Sequence, residues 1–389
     1  MVRAIKGAVY CGLVLAAAGL LALAPVVAGA SCSWSISASQ NKLYNNTLNA
    51  VSADSASDAW AVGSYYDGHS NQFTLAEHWI GTGWKIAGSQ SPNGGGSQTG
   101  AQFEAAAALS PTNAWAVGRY FSFTAHNQLP LIEHWNGTTW SVVGSPPVPN
   151  GYLHGIKAIS PNDIWAVGGG GNANLTLIEH WNGATWSVVQ SRNIGKFNNG
   201  FNSVTATGPK DVWAVGYYPT SAGPYQTLAE HWNGTSWSIV PTRNAITMHD
   251  NTLASVSALA ANDVFAVGAY YNGQNYRTLG ERWNGSQWLL QATMNDGNYS
   301  TNLNGLAAVS PNEVMAVGAA FISVSLAQTY AEIWTGGGWA PSLTPNSADN
   351  DGFLGASTIP GTKDVWAVGG TYNHSGTPIG TLIERYHCP

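Results

Sequence analysis

The residues best suited to chemistry in this chain of 389 residues are carboxylates at a fixed place in a repeated pattern. Two opposed carboxylates can act as acid and base in glycoside hydrolysis. A catalytic acid is usually single, however, whereas a framework residue recurs in every unit of a repeat. We therefore interpret the Glu of the recurring segment "EHW" and its variants as a framework residue. The set comprises Glu77, Glu133, Glu179, Glu230, Glu281, Glu332 and Glu384.

A second set of carboxylates stands two residues before the segment "WAVG" and its variants, where a carboxylate can accept hydrogen bonds from turn amides. The set comprises Asp58, Asp163, Asp211, Asp263, Glu313 and Asp364. Of the seven remaining acidic residues, all but Asp54 fall in or next to the variable loops, and Glu104 is one of these six. A glycosidase would need Glu104 to face an Asp from a loop between units, and the sequence leaves that hypothesis open.

Histidine gives no comparable signal for a metal. In three units the His of "EHW" is replaced by Arg282, Ile333 and Arg385, and Ile cannot bind a metal ion. The other His residues are scattered over different units without the close spacing of a zinc motif. The sequence predicts no metal site and no cofactor.

Tyrosine gives the clearest signal for ligand binding, because it recurs just after the Gly of "WAVG". A tyrosine offers an apolar ring face and a hydroxyl group to a sugar or a protein surface. Successive strand residues point to opposite sides, so one Tyr of each pair could instead pack on the core. The candidate ligand-binding tyrosines are Tyr65, Tyr66, Tyr120, Tyr217, Tyr218, Tyr270, Tyr271 and Tyr372.

A second candidate set stands eleven residues before "WAVG", or twelve in the last unit. If the first strand of each unit lines a central channel, these residues form a mostly polar ring at its mouth. The polar members, which we take as ligand-binding candidates, are Asn49, Glu104, His154, Asn202 and Asn304. The remaining members are Ala254 and Leu354.

The elements that must position these residues come from a sevenfold repeat. "WAVG" and its variants "FAVG" and "MAVG" recur at spacings of 48 to 55 residues, a period typical of propeller blades. Each unit reads as four strand-length runs separated by Gly, Asn and Pro signals, and no segment shows a sustained helical period. The sequence predicts an all-β, seven-bladed β-propeller with four antiparallel strands per blade.

Segment lengths divide the loops of the repeat into two classes. The Trp of "EHW" precedes the next Trp by five residues in all six complete units, whereas the second-to-third loops and the inter-unit loops vary in length. In an antiparallel blade these two variable loop sets lie on the same face, which we call the variable face. We expect ligand binding there, since loops held on a rigid scaffold commonly carry binding residues.

The two ends of the chain are predicted to complete one blade. The last unit stops at "ERYHCP" without a fourth strand, and "SCSWSIS" near the N-terminus reads as one. Trp34 stands 26 residues before Trp60, within the 25–31 range of the other units. The N-terminal strand should therefore close the ring, with a disulfide between Cys32 and Cys388 in the resulting hairpin.

On these repeats and turns, residues 32–388 resemble the secreted seven-bladed β-propellers of the kelch and galactose-oxidase-like group. The turns "NGTTW" and "NGTSW" also resemble the second half of the sialidase Asp-box, although Trp135 stands where that box has its Asp. The resemblance implies an architecture more than a function. The Tyr–Cys cofactor of galactose oxidase is not carried over, because both Cys of the mature chain are placed at the seam.

Residues 1–30 read as a secretory signal peptide, with Arg3 and Lys6 before an apolar run and small residues at 28–30. Retention of this segment as a membrane anchor is the alternative. Residues 31–389 then form a secreted propeller domain, with no membrane span in the mature chain. The net charge of −6 and the lack of a basic cluster argue against nucleic acid as a partner.

Together these features predict a secreted, non-catalytic binding module whose partner is a glycan or a protein surface. A lectin-like module that binds glycans through the variable face is the first hypothesis. A sialidase-like extracellular glycosidase with central carboxylates and a protein-interaction scaffold are the alternatives.

Overall fold

The computed structural model describes residues 31–69, 71–92, 100–221, 223–295, 299–323, 326–346, 350–373 and 375–389. The predicted signal peptide, residues 1–30, lies outside the described residues. In the described ranges, no helix is long and apolar enough to cross a membrane.

The described chain forms seven antiparallel sheets of four strands each, as predicted. Blade 1 consists of β2 (Tyr44–Ser55), β3 (Asp58–Tyr66), β4 (Gln72–Trp79) and β5 (Trp84–Ala87). Blade 2 consists of β6 (Ala101–Ser110), β7 (Asn113–Ser122), β8 (Asn127–Trp135) and β9 (Trp140–Val142). Blade 3 consists of β10 (Tyr152–Ser160), β11 (Asp163–Gly170), β12 (Leu175–Trp181) and β13 (Trp186–Val188).

The remaining blades repeat this order. Blade 4 consists of β14 (Gly200–Gly208), β15 (Asp211–Pro219), β16 (Tyr225–Trp232) and β17 (Trp237–Ile239). Blade 5 consists of β18 (Asn251–Ala260), β19 (Asp263–Tyr271), β20 (Tyr276–Trp283) and β21 (Trp288–Gln291). Blade 6 consists of β22 (Thr301–Ser310), β23 (Glu313–Phe321), β24 (Ala327–Trp334) and β25 (Trp339–Pro341). Blade 7 consists of β26 (Asn350–Thr358), β27 (Val365–Tyr372), β28 (Pro378–His387) and the N-terminal β1 (Ser33–Ile36).

The turn between the third and fourth strands has a Gly with positive φ at the same place in all six complete units, and in blades 2 to 5 an Asn side chain also organises it. In blade 2, Asn136 Oδ1 accepts the backbone N–H groups of Thr138 at 2.9 Å and Thr139 at 3.0 Å. Gly137 has a φ of 94°, a left-handed conformation that Gly adopts without strain. The hairpin then continues the ladder of the blade.

The seam of the ring has the predicted construction. β1 pairs with β28, and Trp34 lies opposite Tyr386 in the ladder. Cys32 and Cys388, 356 residues apart in the chain, form a disulfide. The ring closure by the N-terminal strand and the disulfide are both confirmed.

Removal of this disulfide by the double change C32S/C388S is expected to lower the free energy of unfolding by about 3–5 kcal/mol, because the unfolded chain regains its full freedom. β1 keeps its ladder with β28, so the variant should still fold at 25 °C. Denaturant titration monitored by circular dichroism measures the difference. A reducing agent should weaken the wild type alone, and an equal response of the double variant would contradict the assignment.

Aromatic rings from two blades fill six of the seven interfaces between blades, and at the seventh Met315 of blade 6 packs in one cluster with Trp34 and Tyr386 of blade 7. Trp213 of blade 4 contacts Trp283 of blade 5 with ring centroids 4.9 Å apart, and Trp288 at 5.3 Å. His231 of its own blade packs against Trp213 at 4.4 Å. Phe265 occupies the same place between blades 5 and 6, against Trp334. The repeated aromatic positions are therefore the contacts that hold one blade to the next.

The Glu residues of the third strands are buried, and most of them accept a hydrogen bond that connects two blades. In blades 1, 2, 4, 5 and 6 the carboxylate accepts a backbone N–H from the loop that leaves the preceding blade. In blade 3 the hydroxyl of Ser145 donates to Glu179 instead. Glu384 in blade 7 has no hydrogen-bond partner among the described residues. This burial and bonding support the framework interpretation.

On the face opposite the variable face, the carboxylates before "WAVG" mostly bind side chains instead of the turn amides that the sequence suggested. His180 Nε2 lies 2.8 Å from Asp163 Oδ1, and Arg282 Nε donates to Asp263 Oδ1 at 2.7 Å. His and Arg interchange there because both can donate to a carboxylate. At the seam, the backbone N–H of Cys388 does donate a hydrogen bond to Asp364 Oδ1, at 2.9 Å.

Candidate functional site

The first strands of the seven blades converge on a central cavity of about 210 Å³. The predicted ring of side chains lines it. The ring residues at this cavity are Asn49, Glu104, His154, Asn202, Ala254, Asn304 and Leu354. Sequence spacing thus located the channel-lining residues.

The three Asn of this ring also hold neighbouring blades together. Asn49 Nδ2 donates to the carbonyl oxygen of Phe103 in the next blade at 2.7 Å. Asn202 and Asn304 make the equivalent bond at 2.7 Å and 2.8 Å. The sequence did not reveal this role because the acceptor is a backbone carbonyl of another blade. A contribution of these Asn to ligand binding stays a prediction.

Glu104 is the centre of a charged cluster at one side of the channel mouth. It accepts hydrogen bonds from Gln102 Nε2 and, at 3.4 Å, from Asn49 Nδ2. Arg119 Nη1 lies 3.7 Å from Glu104 Oε1, and His154 Nε2 lies 3.9 Å from it. Neighbouring side chains therefore already surround this carboxylate.

Aromatic groups continue this cluster across blades 3 and 4. Tyr152 packs against the ring of His154 with centroids 4.5 Å apart. Burial lowers the pKa of His154 and outweighs the opposite effect of the nearby Glu104 carboxylate. The neutral imidazole is therefore favoured. Burial also raises the pKa of Tyr217, whose hydroxyl bonds to that of Tyr152. Blades 2 to 4 thus fill their side of the channel mouth with groups that bind one another.

The structure divides the candidate tyrosines by the side to which they point. Tyr65, Tyr120, Tyr218 and Tyr270 each stand five residues after the first residue of "WAVG" or "FAVG", and each packs against a hydrophobic cluster. The packing alternative weighed in the sequence therefore holds for these four. Because these four rings pack against the core, the structure does not support their predicted contact with a ligand.

The other candidate tyrosines lie closer to open surface. Tyr66 is partly buried and lies opposite Tyr44 in the ladder of blade 1. Tyr271 contacts the ring of Tyr276 at 5.4 Å. Tyr372 borders a cavity between blades 6 and 7. These residues remain ligand-binding candidates.

The cavity between blades 6 and 7 measures about 480 Å³ and lies on the variable face. Phe321 and Tyr372 supply aromatic walls, and Asn302, Asn350 and Asp351 supply polar ones. Its volume falls in the range of about 300–1,000 Å³ that is typical of small-ligand sites. We call it the blade 6–7 cavity.

Sequence reasoning identified two lining residues of the blade 6–7 cavity, Asn304 and Tyr372. It missed Phe321, which stands where blades 1, 5 and 7 carry Tyr and is 39% exposed. It also missed Asn302, two residues before the ring position. An aromatic residue six places after the Met of "MAVG" was the signal that could have identified Phe321.

A second cavity of about 340 Å³ lies between blades 5 and 6, with Tyr276 and Phe321 in its walls. We call it the blade 5–6 cavity. Each cavity borders a small residue directly after "FAVG" or "MAVG", Ala269 in one and Ala319 in the other. Blade 2 carries Arg119 at that place, whose longer side chain occupies the space near Glu104.

Polar atoms remain available in the blade 6–7 cavity. Asn302 Nδ2 donates to Asn304 Oδ1 at 2.8 Å, and its own amide oxygen has no partner among the described residues. The hydroxyl of Tyr372 likewise has none in those ranges, and burial raises its pKa. Asn350, by contrast, uses both ends of its amide to fix the loops of blades 6 and 7. The cavity can therefore offer an acceptor and a hydroxyl beside its aromatic walls.

The described residues give no indication of a metal centre. Within these ranges, no three His, Cys, Asp or Glu side chains lie close enough together to hold an ion.

Comparisons with known proteins show the fold alone. No family model and no curated protein matches the chain. A solved structure titled "YCF48 bound to D1 peptide" is similar over 91% of this chain and 100% of its own, with 15% identity and a TM-score of 0.53. A PL25 ulvan lyase bound to -[GlcA(1-4)Rha3S]- is similar over 87% of this chain and 93% of its own, with 11% identity and a TM-score of 0.56. The WD40 propeller domain of Doa1 is similar over 92% of this chain and 98% of its own, with 10% identity and a TM-score of 0.54.

Proposed function

We propose that this protein is a secreted glycan-binding module whose ligand occupies the blade 6–7 cavity. The observation that carries the proposal is the pairing of aromatic walls with available polar atoms in one cavity on the variable face. A sugar presents C–H groups on its ring faces and hydroxyls at its edges. Phe321 and Tyr372 suit the faces, and the amide oxygen of Asn302 suits the hydroxyls.

Binding without hydrolysis is favoured by the distribution of carboxylates. Among the described residues that line the central cavity, Glu104 is the single acid, and among those that line the blade 6–7 cavity it is Asp351. Glycoside hydrolysis normally uses two carboxylates across one sugar. Neighbouring donors also surround Glu104, so the glycosidase hypothesis has the weaker structural support.

Secretion and the finer family assignment belong to this proposal. A signal peptide at residues 1–30 would direct the chain to an oxidising compartment, which suits the Cys32–Cys388 disulfide. The kelch and galactose-oxidase-like resemblance rests on the sequence repeats. The structural neighbours include a lyase and a WD40 propeller and do not select that group.

A protein surface is the second candidate ligand, because apolar side chains are exposed on loops between units. Phe197 is 58% exposed and Met248 is 80% exposed. Both lie away from the blade 6–7 cavity, so a partner docked on them should tolerate changes at Phe321. The neighbour titled as peptide-bound shows that one propeller of this fold accepts such a ligand.

The test is a glycan array on the mature protein, followed by titration of the retained glycan with two matched variants. Phe321→Ala should weaken binding about tenfold through loss of ring contact. Phe123→Ala is the control, because Phe123 is 40% exposed, on a loop of blade 2. Equal losses in both variants, or no retained glycan, would contradict the proposal. Product analysis of the retained glycan would detect hydrolysis.

A further inference from the structure

We propose that the glycan is a linear, uncharged chain that lies across blades 5, 6 and 7, and that its inner units are recognised more than its terminal sugar. This inference rests on the proposed function. The juxtaposition that supports it is a shared wall: Asn302, Asn304 and Phe321 line both the blade 5–6 cavity and the blade 6–7 cavity. The two cavities therefore adjoin with Phe321 between them, and in this proposal the ligand crosses them as one trough.

Aromatic rings stand along this trough at three places. Tyr276 borders the blade 5–6 cavity and is 44% exposed, Phe321 borders both cavities, and Tyr372 borders the blade 6–7 cavity. The ring of Tyr271 packs against Tyr276, and Ser300 Oγ accepts the backbone N–H of Tyr276 at 3.1 Å. Aromatic side chains held in place at intervals suit a chain of sugars, because each can cover the face of one sugar ring. A side chain that is already held in place loses little conformational entropy on binding.

The trough is open, which admits a chain that continues past both ends. Phe321 and Tyr276 are exposed at the variable face, so the described residues do not enclose a ligand across them. The trough also meets the central cavity, because Asn304 lines all three cavities. A pocket for a terminal sugar would instead surround the ligand and bury most of its surface.

The charge of the trough selects an uncharged chain. Among the described lining residues of both cavities, Asp351 is the one charged side chain, and none is Lys, Arg or His. A uronate or sulfated chain would meet no cation among these described residues and would lie near the Asp351 carboxylate, which is unfavourable. Arg277 follows Tyr276 on β20, and its Nη1–H donates a hydrogen bond to the carbonyl oxygen of Tyr299 at 2.7 Å.

The experiment measures affinity against chain length. The mature protein is titrated calorimetrically with cello-, xylo-, malto- and chito-oligosaccharides of one to six units, and with oligogalacturonates as the anionic series. We expect the association constant of one uncharged series to rise at least about tenfold between two units and four, as a second ring contact is gained. Oligogalacturonates should bind at least about tenfold more weakly than that series.

Variants separate the two halves of the trough. Tyr276→Ala should abolish the gain with length and weaken four-unit chains far more than two-unit chains, whereas Phe321→Ala should weaken every length. Tyr276→Phe keeps the ring and should retain the gain, which controls for a folding defect in the alanine variant.

Two failures are distinguishable. If no saccharide binds, the proposed function itself is wrong. If saccharides bind with an affinity independent of length, or if Tyr276→Ala leaves the gain intact, the glycan-binding function stands and the extended-chain proposal is overturned. Stronger binding of oligogalacturonates would overturn the assignment of an uncharged ligand.

Discussion

Replacement of Trp213 with alanine is expected to lower the free energy of unfolding by about 3–5 kcal/mol, because it empties a buried aromatic site. Trp213 is 1% exposed and contacts rings of the next blade. Its removal leaves a cavity between blades 4 and 5 that rigid strands on both sides cannot close. The effect therefore combines lost burial with a residual void.

Phenylalanine at the same position should be milder, with a loss of about 1–2 kcal/mol. The Nε1–H of Trp213 has no hydrogen-bond partner among the described residues, so Phe removes ring area without breaking a hydrogen bond. Phe265 already fills the equivalent place one blade further on and is fully buried.

Denaturant titration of Trp213→Ala, Trp213→Phe and the surface control Phe123→Ala measures these differences. Equal and small losses in the two Trp213 variants would show that the ring does not fill the interface. A loss in Phe123→Ala comparable with that of Trp213→Ala would show that the assay does not separate buried from exposed rings.

The fold could be predicted from the sequence because every blade repeats the same local signals. A fixed hairpin such as that at Asn136, a second strand such as that of Trp213 and a third-strand Glu occur at regular spacing. The seam could be predicted for the same reason, since a blade without its fourth strand and a strand without a blade complete each other. Repetition thus made up for the weakness of each single signal.

The candidate site was only partly predictable, because it depends on differences between blades. The two cavities border the small side chains Ala269 and Ala319, and sequence inspection directed attention to large residues instead. Alternation along the second strand predicted that one Tyr of each pair packs on the core, but which one does so depends on contacts with the neighbouring blade, as for Tyr65 and Tyr270. The hydrogen bonds that Asn49, Asn202 and Asn304 donate to the next blade could not be predicted either, because their acceptors are backbone carbonyl oxygens of another unit.

The second large effect expected is a loss of stability as the pH rises from about 5 to 8. Burial raises the pKa of Glu281 to about 8 and that of Glu230 to about 7, from a reference of 4.5. The other third-strand Glu residues shift in the same direction. Because the folded state keeps protons that the unfolded state releases above pH 4.5, each rise in pH favours the unfolded state until the folded groups also titrate.

Glu384 offers the clearest test, because no described residue donates a hydrogen bond to its carboxyl, whereas each of its counterparts has a donor. Arg243 stands six residues after the fourth-strand Trp237 and donates its backbone N–H to Glu281 at 2.9 Å. Pro345 stands at the equivalent place, six residues after Trp339. Proline has no N–H, so the carboxyl of Glu384 is fully buried without a hydrogen bond from the described residues. Burial, assisted by the nearby Asp351 carboxylate, raises the pKa of Glu384 to about 8.

Two variants test this account, with stability measured by denaturant titration at pH 5 and pH 8. Glu384→Gln removes the titrating group and should reduce the loss of stability between the two pH values, by on the order of 2 kcal/mol. Pro345→Ala restores a backbone donor at the place used by other blades, so it should lower the pKa of Glu384 and also flatten the pH dependence. Glu230→Gln is the comparison, because Glu230 already has donors from Ser191 and Arg192 and should change the pH dependence less. An unchanged pH dependence in both Glu384→Gln and Pro345→Ala would show that Glu384 does not hold a proton in the folded ring at neutral pH.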